Sequence, residues 1–154
     1  MTVISHEFSA GGVVIRPAGG APVLFELAVI TPRGRASVTA LPKGHIDSGE
    51  AAVDAASREV REETGLIVEL LEKLGDVKYV YRFRGKTIFK VVSFFLFKHT
   101  EGEIDQITPE MRIEVDRAHW IPLTDAKARL SYPGERQMAG KALEILSRGV
   151  TTAS

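Results

Sequence analysis

Apolar residues along the chain follow two different periods. From Phe8 to Pro17 small and β-branched residues gather around Gly11-Gly12-Val13-Val14-Ile15, and a second apolar run extends from Val23 to Thr31. Pro17-Ala18-Gly19-Gly20 between them has turn chemistry, so the pattern predicts an antiparallel strand pair. A polar loop, Pro32 to Ser37, leads into Leu41-Pro42-Lys43-Gly44, after which the period changes. The alanine-rich stretch opened by Glu50 predicts a helix, capped by Ser48 and stopped by Gly65. Beyond it Leu66-Ile67-Val68, Asp76 to Phe83 and Thr87 to Lys98 read as three strands, the last two joined by a turn at Arg84-Gly85-Lys86. An acidic loop from Thr100 to Glu110 follows, then strand character from Met111 to Ile121. Glu135 to Leu146 has helical spacing, with Met138, Ala142, Ile145 and Leu146 as its apolar positions. Strands thus flank one early helix and precede one late helix, with no internal repeat and no linker.

Length and composition narrow the picture. A chain of 154 residues suits one hydrophobic core, so a single domain over residues 1–154 is expected. Composition is 44% hydrophobic and 26% charged, which excludes collagen-like and extensively disordered chains. The formal net charge is zero, so no global field favours nucleic-acid backbones or anionic membranes, and any polyanion must be held by local chemistry. Cysteine is absent, which removes disulfides, thiolate metal sites and thiol nucleophiles together. The first residues lack the basic start and apolar stretch of a signal peptide, and Val91 to Phe97 is too short to span a bilayer. A cytoplasmic protein without a membrane partner is expected.

Charge is uneven within that neutral total. Gly44 to Leu66 carries Asp47, Glu50, Asp54, Glu59, Glu62 and Glu63 against Arg58 and Arg61 only. At about 100° per residue, Glu59, Glu62 and Glu63 fall in the arc marked as buried by Ala52, Val53, Ala55, Ala56 and Val60. Asp54, Ser57, Arg58 and Arg61 take the opposite side. Three inward carboxylates on successive turns repel one another unless a cation neutralises them, and all-oxygen ligands suit a hard ion such as Mg²⁺, with Mn²⁺ as a substitute.

The spacing Gly44, Glu50, then Arg58-Glu59-Val60-Arg61-Glu62-Glu63-Thr64-Gly65-Leu66 is similar to the Nudix box, GX5EX7REUXEEXGU with U aliphatic, at every specified position over residues 44–66. Resemblance to Nudix hydrolases implies an α/β/α sandwich around a mixed β-sheet, and Mg²⁺-dependent cleavage of a diphosphate linked to another moiety. It implies metal binding by Glu59, Glu62, Glu63 and the carbonyl of Gly44, with Glu50 and Arg58 orienting the loop and the carboxylates. Metal ions neutralise phosphoryl oxygens and acidify the attacking water, and a spare carboxylate accepts its proton. Glu59 is the expected base, with Glu114 the expected further acid among Glu101, Glu103, Asp105, Glu110 and Glu114, because its spacing to Trp120 resembles that in several family members.

Leu41-Pro42-Lys43-Gly44-His45 resembles the corresponding loop of diadenosine polyphosphate hydrolases and of some MutT-like proteins, and the segment Leu130 to Arg136 resembles the late turn and helix of the diadenosine polyphosphate group. Lys43 and His45 are expected at the phosphate chain, joined by Arg82 and Lys90 from the hairpin. Among Tyr79, Tyr81, Trp120 and Tyr132, Tyr132 is the foremost candidate to stack a base. The expected substrate is a nucleotide polyphosphate, foremost diadenosine tetraphosphate, giving ATP and AMP. The alternatives are MutT-like hydrolysis of oxidised nucleoside triphosphates, pyrophosphohydrolysis of mRNA 5′ ends, and a non-catalytic domain that senses a nucleotide. A monomer or a homodimer is expected.

Overall fold

The computed structural model describes residues 3–20 and 24–152. Val23, where the second apolar run begins, lies outside them. In chain order the elements are β1 (Val3–Gly19), β2 (Leu24–Pro32), β3 (Lys43–His45), α1 (Ala52–Thr64), β4 (Ile67–Phe83), β5 (Lys86–Glu101), β6 (Val115–Pro122), α2 (Ala126–Arg129) and α3 (Pro133–Thr152). The strands form one sheet in the order β4-β5-β1-β2-β6, with β3 paired to β1 beside that path. β1 and β5 run parallel from Val3↔Lys86 to Ile15↔Lys98, and the other pairs are antiparallel. The sheet is mixed, as the resemblance implies.

Alternation along the strands feeds a core on each face. Val13, Ile15, Phe94 and Leu96 face Met138, Ala139 and Ala142 of α3, whereas Val14, Ala28, Phe95 and Phe97 face Ala55, Ala56 and Val60 of α1. The runs that look continuously apolar in the sequence are central strands covered on both sides. Each fully buried Val, Leu or Phe contributes about 1.5–3 kcal/mol, so the two layers hold α1 and α3 firmly against opposite faces. No helix among the described residues is long and apolar enough to cross a membrane.

The predicted antiparallel pair is present, with Ile15 opposite Leu27. Elsewhere the elements depart from the pattern: β1 already starts at Val3 and runs through the expected turn to Gly19, and α3 extends over Pro133–Thr152. Leu66-Ile67-Val68 and Asp76 to Phe83 are not two strands: Ile67–Phe83 is one strand whose register shifts at Ile67/Val68, Leu70/Glu72 and Lys73/Gly75 break the apolar alternation. Met111–Ile113 is a 3-10 turn, and strand β6 starts only at Val115. The short β3 and α2 were hidden in loop-like sequence. Ser48 does not cap α1; the cap position is Ala51, with no side-chain hydrogen bond. Glu50 closes that entrance instead, its Oε1 accepting the Asp47 N–H at 3.0 Å. The expected stop does hold, since Gly65 sits at φ 84°, where a glycine is favoured, and its N–H bonds to the Arg61 carbonyl.

Candidate active site

α1 turns two carboxylates toward the sheet. Glu59 and Glu63 are 9% and 7% exposed, among buried Ala55, Ala56 and Val60. Glu62 does not join them, contrary to the helical projection. Its side chain is 42% exposed at the edge of the buried arc, 3.3 Å from Arg58 Nη1.

Arg58 organises the entrance. Its Nε and Nη2 donate to the two oxygens of Glu50, each at 2.9 Å, Nη1 donates to Glu59 Oε1 at 2.9 Å, and Nη2 also donates to the His45 carbonyl at 3.0 Å. The paired hydrogen bonds from Arg58 hold the Glu50 carboxyl down at about 2, and Glu50 in turn raises the guanidinium. One side chain therefore ties the 45–50 loop to α1 and aims Glu59.

Strand β3 closes the other side. The Lys43 N–H donates to Glu63 Oε1 at 3.0 Å. At Gly44 a Cβ would lie inside the Glu59 carboxylate, so only glycine lets this backbone and that acid share the space. Burial pushes Glu59 up, against the pull of Arg58, and the charges of Glu62 and Glu114 add to the rise. Burial pushes Glu63 up to about 8, with Glu59 and Glu114 again adding to it. Glu114, at the end of the 3-10 turn, is thus close enough for both buried acids to feel.

These groups fit a hard divalent cation by donor chemistry: every candidate ligand is oxygen, and two buried carboxylates are short of positive charge. In the side-chain positions observed, no group of three or more His, Asp or Glu among the described residues closes into a metal cage. Glu62, turned out to Arg58, is the member that stands apart.

A cavity of about 400 Å³ is lined by Lys43, Gly44, Glu63, Lys90, Glu114 and Tyr132. A second of about 600 Å³ shares Lys43 and Tyr132 with it and reaches Tyr79, Phe94 and Glu135. Acids, bases and aromatic rings therefore line two cavities that adjoin at Lys43 and Tyr132. Lys43 Nζ lies 2.7 Å from Glu135 Oε2 and 5.3 Å from the Tyr132 ring centre. His45 is exposed at the rim of the smaller cavity. Lys90 is half-buried in its wall, where burial lowers the ammonium. Arg82 is not brought to the site: it is exposed, donates to Thr87 Oγ1 at 3.2 Å across the β4–β5 hairpin, and lines neither cavity. Trp120 is also elsewhere, under the Arg16 guanidinium at 4.2 Å, and the Tyr81 hydroxyl donates to Glu7 at 3.0 Å.

Two residues of this space were missed. Glu135 is 4% exposed, pairs with Lys43 and takes the Leu41 N–H at 2.7 Å. The spacing Glu135-Met138-Ala139-Ala142 puts it on the apolar stripe of α3, and that signal was available. Ser9, 2% exposed and opposite His45 in the β1–β3 register, lines the smaller cavity. It carries no sequence signal, because its placement depends on that pairing.

Comparison with known proteins bears on this geometry. A family model described as the NUDIX domain matches residues 6–140. The chain is 36% identical over 146 residues to a Mycobacterium tuberculosis protein that carries the name mutator protein MutT4, covering 93% of this chain and 57% of that one. It is 35% identical over 136 residues to the 8-oxo-(d)GTP phosphatase of Mycolicibacterium smegmatis, covering 84% of this chain and 39% of that one. The chain therefore spans about half the length of the curated relatives it matches. Among solved structures, a binary complex of the C. elegans Ap4A hydrolase superposes with a TM-score of 0.71 at 25% identity, covering 92% of this chain and 98% of that one.

Proposed function

This chain belongs to the Nudix family, and on that footing we propose that it hydrolyses phosphoanhydride bonds of nucleotide polyphosphates with a divalent cation, Mg²⁺ or Mn²⁺. The observation that carries the reading is that Glu63 and Glu114 line one cavity with Lys43, Gly44, Lys90 and Tyr132, while Glu59 stands against Gly44 and acts on Glu63 through its charge. Glu59, Glu62, Glu63 and the Gly44 carbonyl are the proposed ligands of the ion, Glu62 by turning inward from the edge of α1. When bound, the ion supplies charge neutralisation at the phosphoryl oxygens and an acidified water. Glu59 or Glu114 takes the proton of that water, and Arg58 with Glu50 keeps Glu59 aimed. Residues 1–154 are taken as a single domain, monomeric or homodimeric and cytoplasmic.

Diadenosine tetraphosphate, split by water attack on phosphorus into ATP and AMP, is the proposed substrate. Lys43, His45, Lys90 and Tyr132 around the smaller cavity support it, as does the likeness to the C. elegans Ap4A hydrolase. The names of the two mycobacterial relatives favour a second reading, an oxidised purine nucleoside triphosphate. A substrate panel of diadenosine polyphosphates, 8-oxo-dGTP, ADP-ribose and nucleotide sugars, with product analysis, tests both. The expected result is a higher kcat/KM for diadenosine tetraphosphate, ATP and AMP as products, and loss of turnover in excess EDTA. Preference for 8-oxo-dGTP selects the second reading, and turnover of none of these compounds rejects the hydrolase.

A further inference from the structure

The two edges of the sheet are finished differently. β6 has eight residues, and the neighbouring loop takes part of its backbone: the Ala118 N–H donates to Asp105 Oδ1 at 2.9 Å, and Arg112 Nη1 donates to the Asp116 carbonyl at 3.1 Å. β4, the opposite edge, has 17 residues. Its first half is interrupted by register shifts as far as Gly75, and Lys141 of α3 donates to the Leu74 carbonyl. From Gly75 to Phe83 the pairing with β5 runs without a shift. Among the described residues no hydrogen bond beyond that pairing reaches the backbone of 75–83. Tyr79, Val80, Tyr81 and Phe83 on the same stretch are exposed. A regular, apolar edge with half its N–H and C=O groups turned outward is a template for another strand.

Charge along this edge fits a second copy of the same chain. A two-fold axis through an antiparallel pair keeps like faces of the sheet together, so residues of the same parity are opposed. The unshifted segment is centred on Tyr79. With the axis there, Asp76 is opposed to Arg82 of the second copy, Val77 to Tyr81, Lys78 to Val80 and Tyr79 to itself. Moving the axis to Lys78 sets two lysines face to face, and moving it to Val80 sets Lys78 against Arg82. Only the central position avoids a like-charge pair and gains an opposite one at each end. Asp76 is held ready for it, because Ser93 and Lys73 both reach its Oδ1, at 2.8 Å and 3.3 Å. Val77 and Tyr79 line the larger cavity, so the same pairing brings Tyr81 of the second copy beside it. We propose that the chain self-associates through residues 75–83 of β4, antiparallel about a two-fold axis at Tyr79, into one sheet continuous across two copies. Nothing in this pairing depends on the nucleotide reading.

The chain has no cysteine, so engineered thiols report the register without interference. Opposed residues of an antiparallel pair lie about 4.5–5.5 Å apart at Cα, within the span of a disulfide. In the full chain under mild oxidation, Tyr79→Cys is expected to give a covalent dimer. Phe83→Cys is also exposed but would stand about 27 Å from its own copy at 3.4 Å per residue, and it is expected to stay monomeric. Asp76→Cys combined with Arg82→Cys is expected to crosslink too, and it serves where loss of the Tyr79 ring itself weakens association. Sedimentation of the wild type over rising concentration is expected to show a monomer–dimer equilibrium. Val80→Lys sets Lys78 against a second ammonium twice per dimer and is expected to raise the dissociation constant about tenfold, with the far-ultraviolet circular dichroism unchanged. A wild type that stays monomeric at every concentration overturns the proposal, as does a dimer indifferent to Val80→Lys. Crosslinking of Phe83→Cys as fast as Tyr79→Cys, or of neither Tyr79→Cys nor the double variant, overturns the register and the proposal with it.

Discussion

α1 and α3 cover opposite faces of one sheet, and each buries glutamate on the side it turns inward, yet the two sets of acids are in opposite electrical states. On α3, Glu135 has both oxygens answered: Lys43 Nζ stands at 2.7 Å from one and the Leu41 N–H reaches the other at 2.7 Å. On α1, Glu59 shares a single guanidinium with Glu50 and Glu62, and Glu63 receives one backbone N–H. Burial raises both of the α1 acids, Glu114 pushes both in the same direction, and Glu62 adds to the rise of Glu59 as Glu59 adds to that of Glu63. A buried acid with its full complement of partners fastens two elements together. A buried acid left short of positive charge is poised to receive a cation.

The comparison breaks first, if it breaks, at activity. Glu63→Gln keeps the shape and the acceptor for the Lys43 N–H but removes the charge, and turnover is expected to fall about a hundredfold or more. The metal-free variant is expected to melt no lower than wild type, because the cost of keeping a buried carboxyl protonated above its ordinary pKa has gone. Steady-state kinetics in Mg²⁺ beside melts in EDTA check both halves, and wild-type turnover in Glu63→Gln would remove α1 from the chemistry.

Glu135→Ala is the converse, with its first effect on stability. It strands Lys43, leaves the Leu41 N–H unpaired and opens space beneath α3. Lys43 is 25% exposed and can turn its ammonium to water, so the expected loss is about 2 kcal/mol, below the upper range for a broken buried pair. Denaturant titration measures it. A variant as stable as wild type would mean that Glu135 is no fastener, and the contrast between the helices would lose one arm.

Acidity separates fastened from unfastened carboxylates a third way, in the metal-free chain. Glu63 in the fold titrates at about 8 against an ordinary 4.5, so its contribution is complete below 4.5 and is lost as pH rises toward 8. Glu50, held down at about 2 by Arg58 against the same ordinary 4.5, contributes fully above 4.5, and that contribution is lost as pH falls toward 2. Linkage therefore gives a stability profile that declines on both sides, from different residues. Denaturant midpoints in EDTA across this range are expected to show it, with Glu63→Gln flattening the alkaline arm only. A wild-type midpoint that rises between pH 5 and pH 8 would contradict the assignment to Glu63.

The sequence was legible where one element suffices. The helical period and Gly65 marked the body and the end of α1, and the box spacing singled out Gly44, Glu50, Arg58, Glu59 and Glu63, which the structure brings together at the entrance of that helix, with Arg58 paired to Glu50. It failed at margins. A helical projection separates faces but not the rim of a face, which is where Glu62 lies at 42% side-chain exposure. Ser48 lost the cap because Glu50, bonded to Arg58 and the Asp47 N–H, already closes the turn. Arg82 and Lys90 carry the same charge on the same hairpin, and only the strand register decides that Lys90 reaches the cavity. Ser9 depends on its pairing with β3, which no local pattern contains, and Glu135, whose inward position the spacing of α3 does carry, depends for its partner on Lys43 far away in sequence.

The smallest effect expected isolates burial from acidity on α1 itself. Asp54 lies on the same helix as Glu59 and Glu63 but is exposed, on the side turned away from the sheet. It occupies the first turn, where Ala51 offers no side-chain cap, so its charge is what meets the positive end of the helix dipole there. Asp54→Asn is expected to lower stability by about 0.5 kcal/mol, an effect that shrinks as salt is added, and to leave kcat and KM unchanged. Chemical denaturation at two ionic strengths and kinetics under saturating Mg²⁺ measure these together. A loss of turnover near that of Glu63→Gln would show that the acid content of α1, rather than the burial of two of its acids, sets the chemistry, and the distinction between the two helices would then rest on nothing but sequence position.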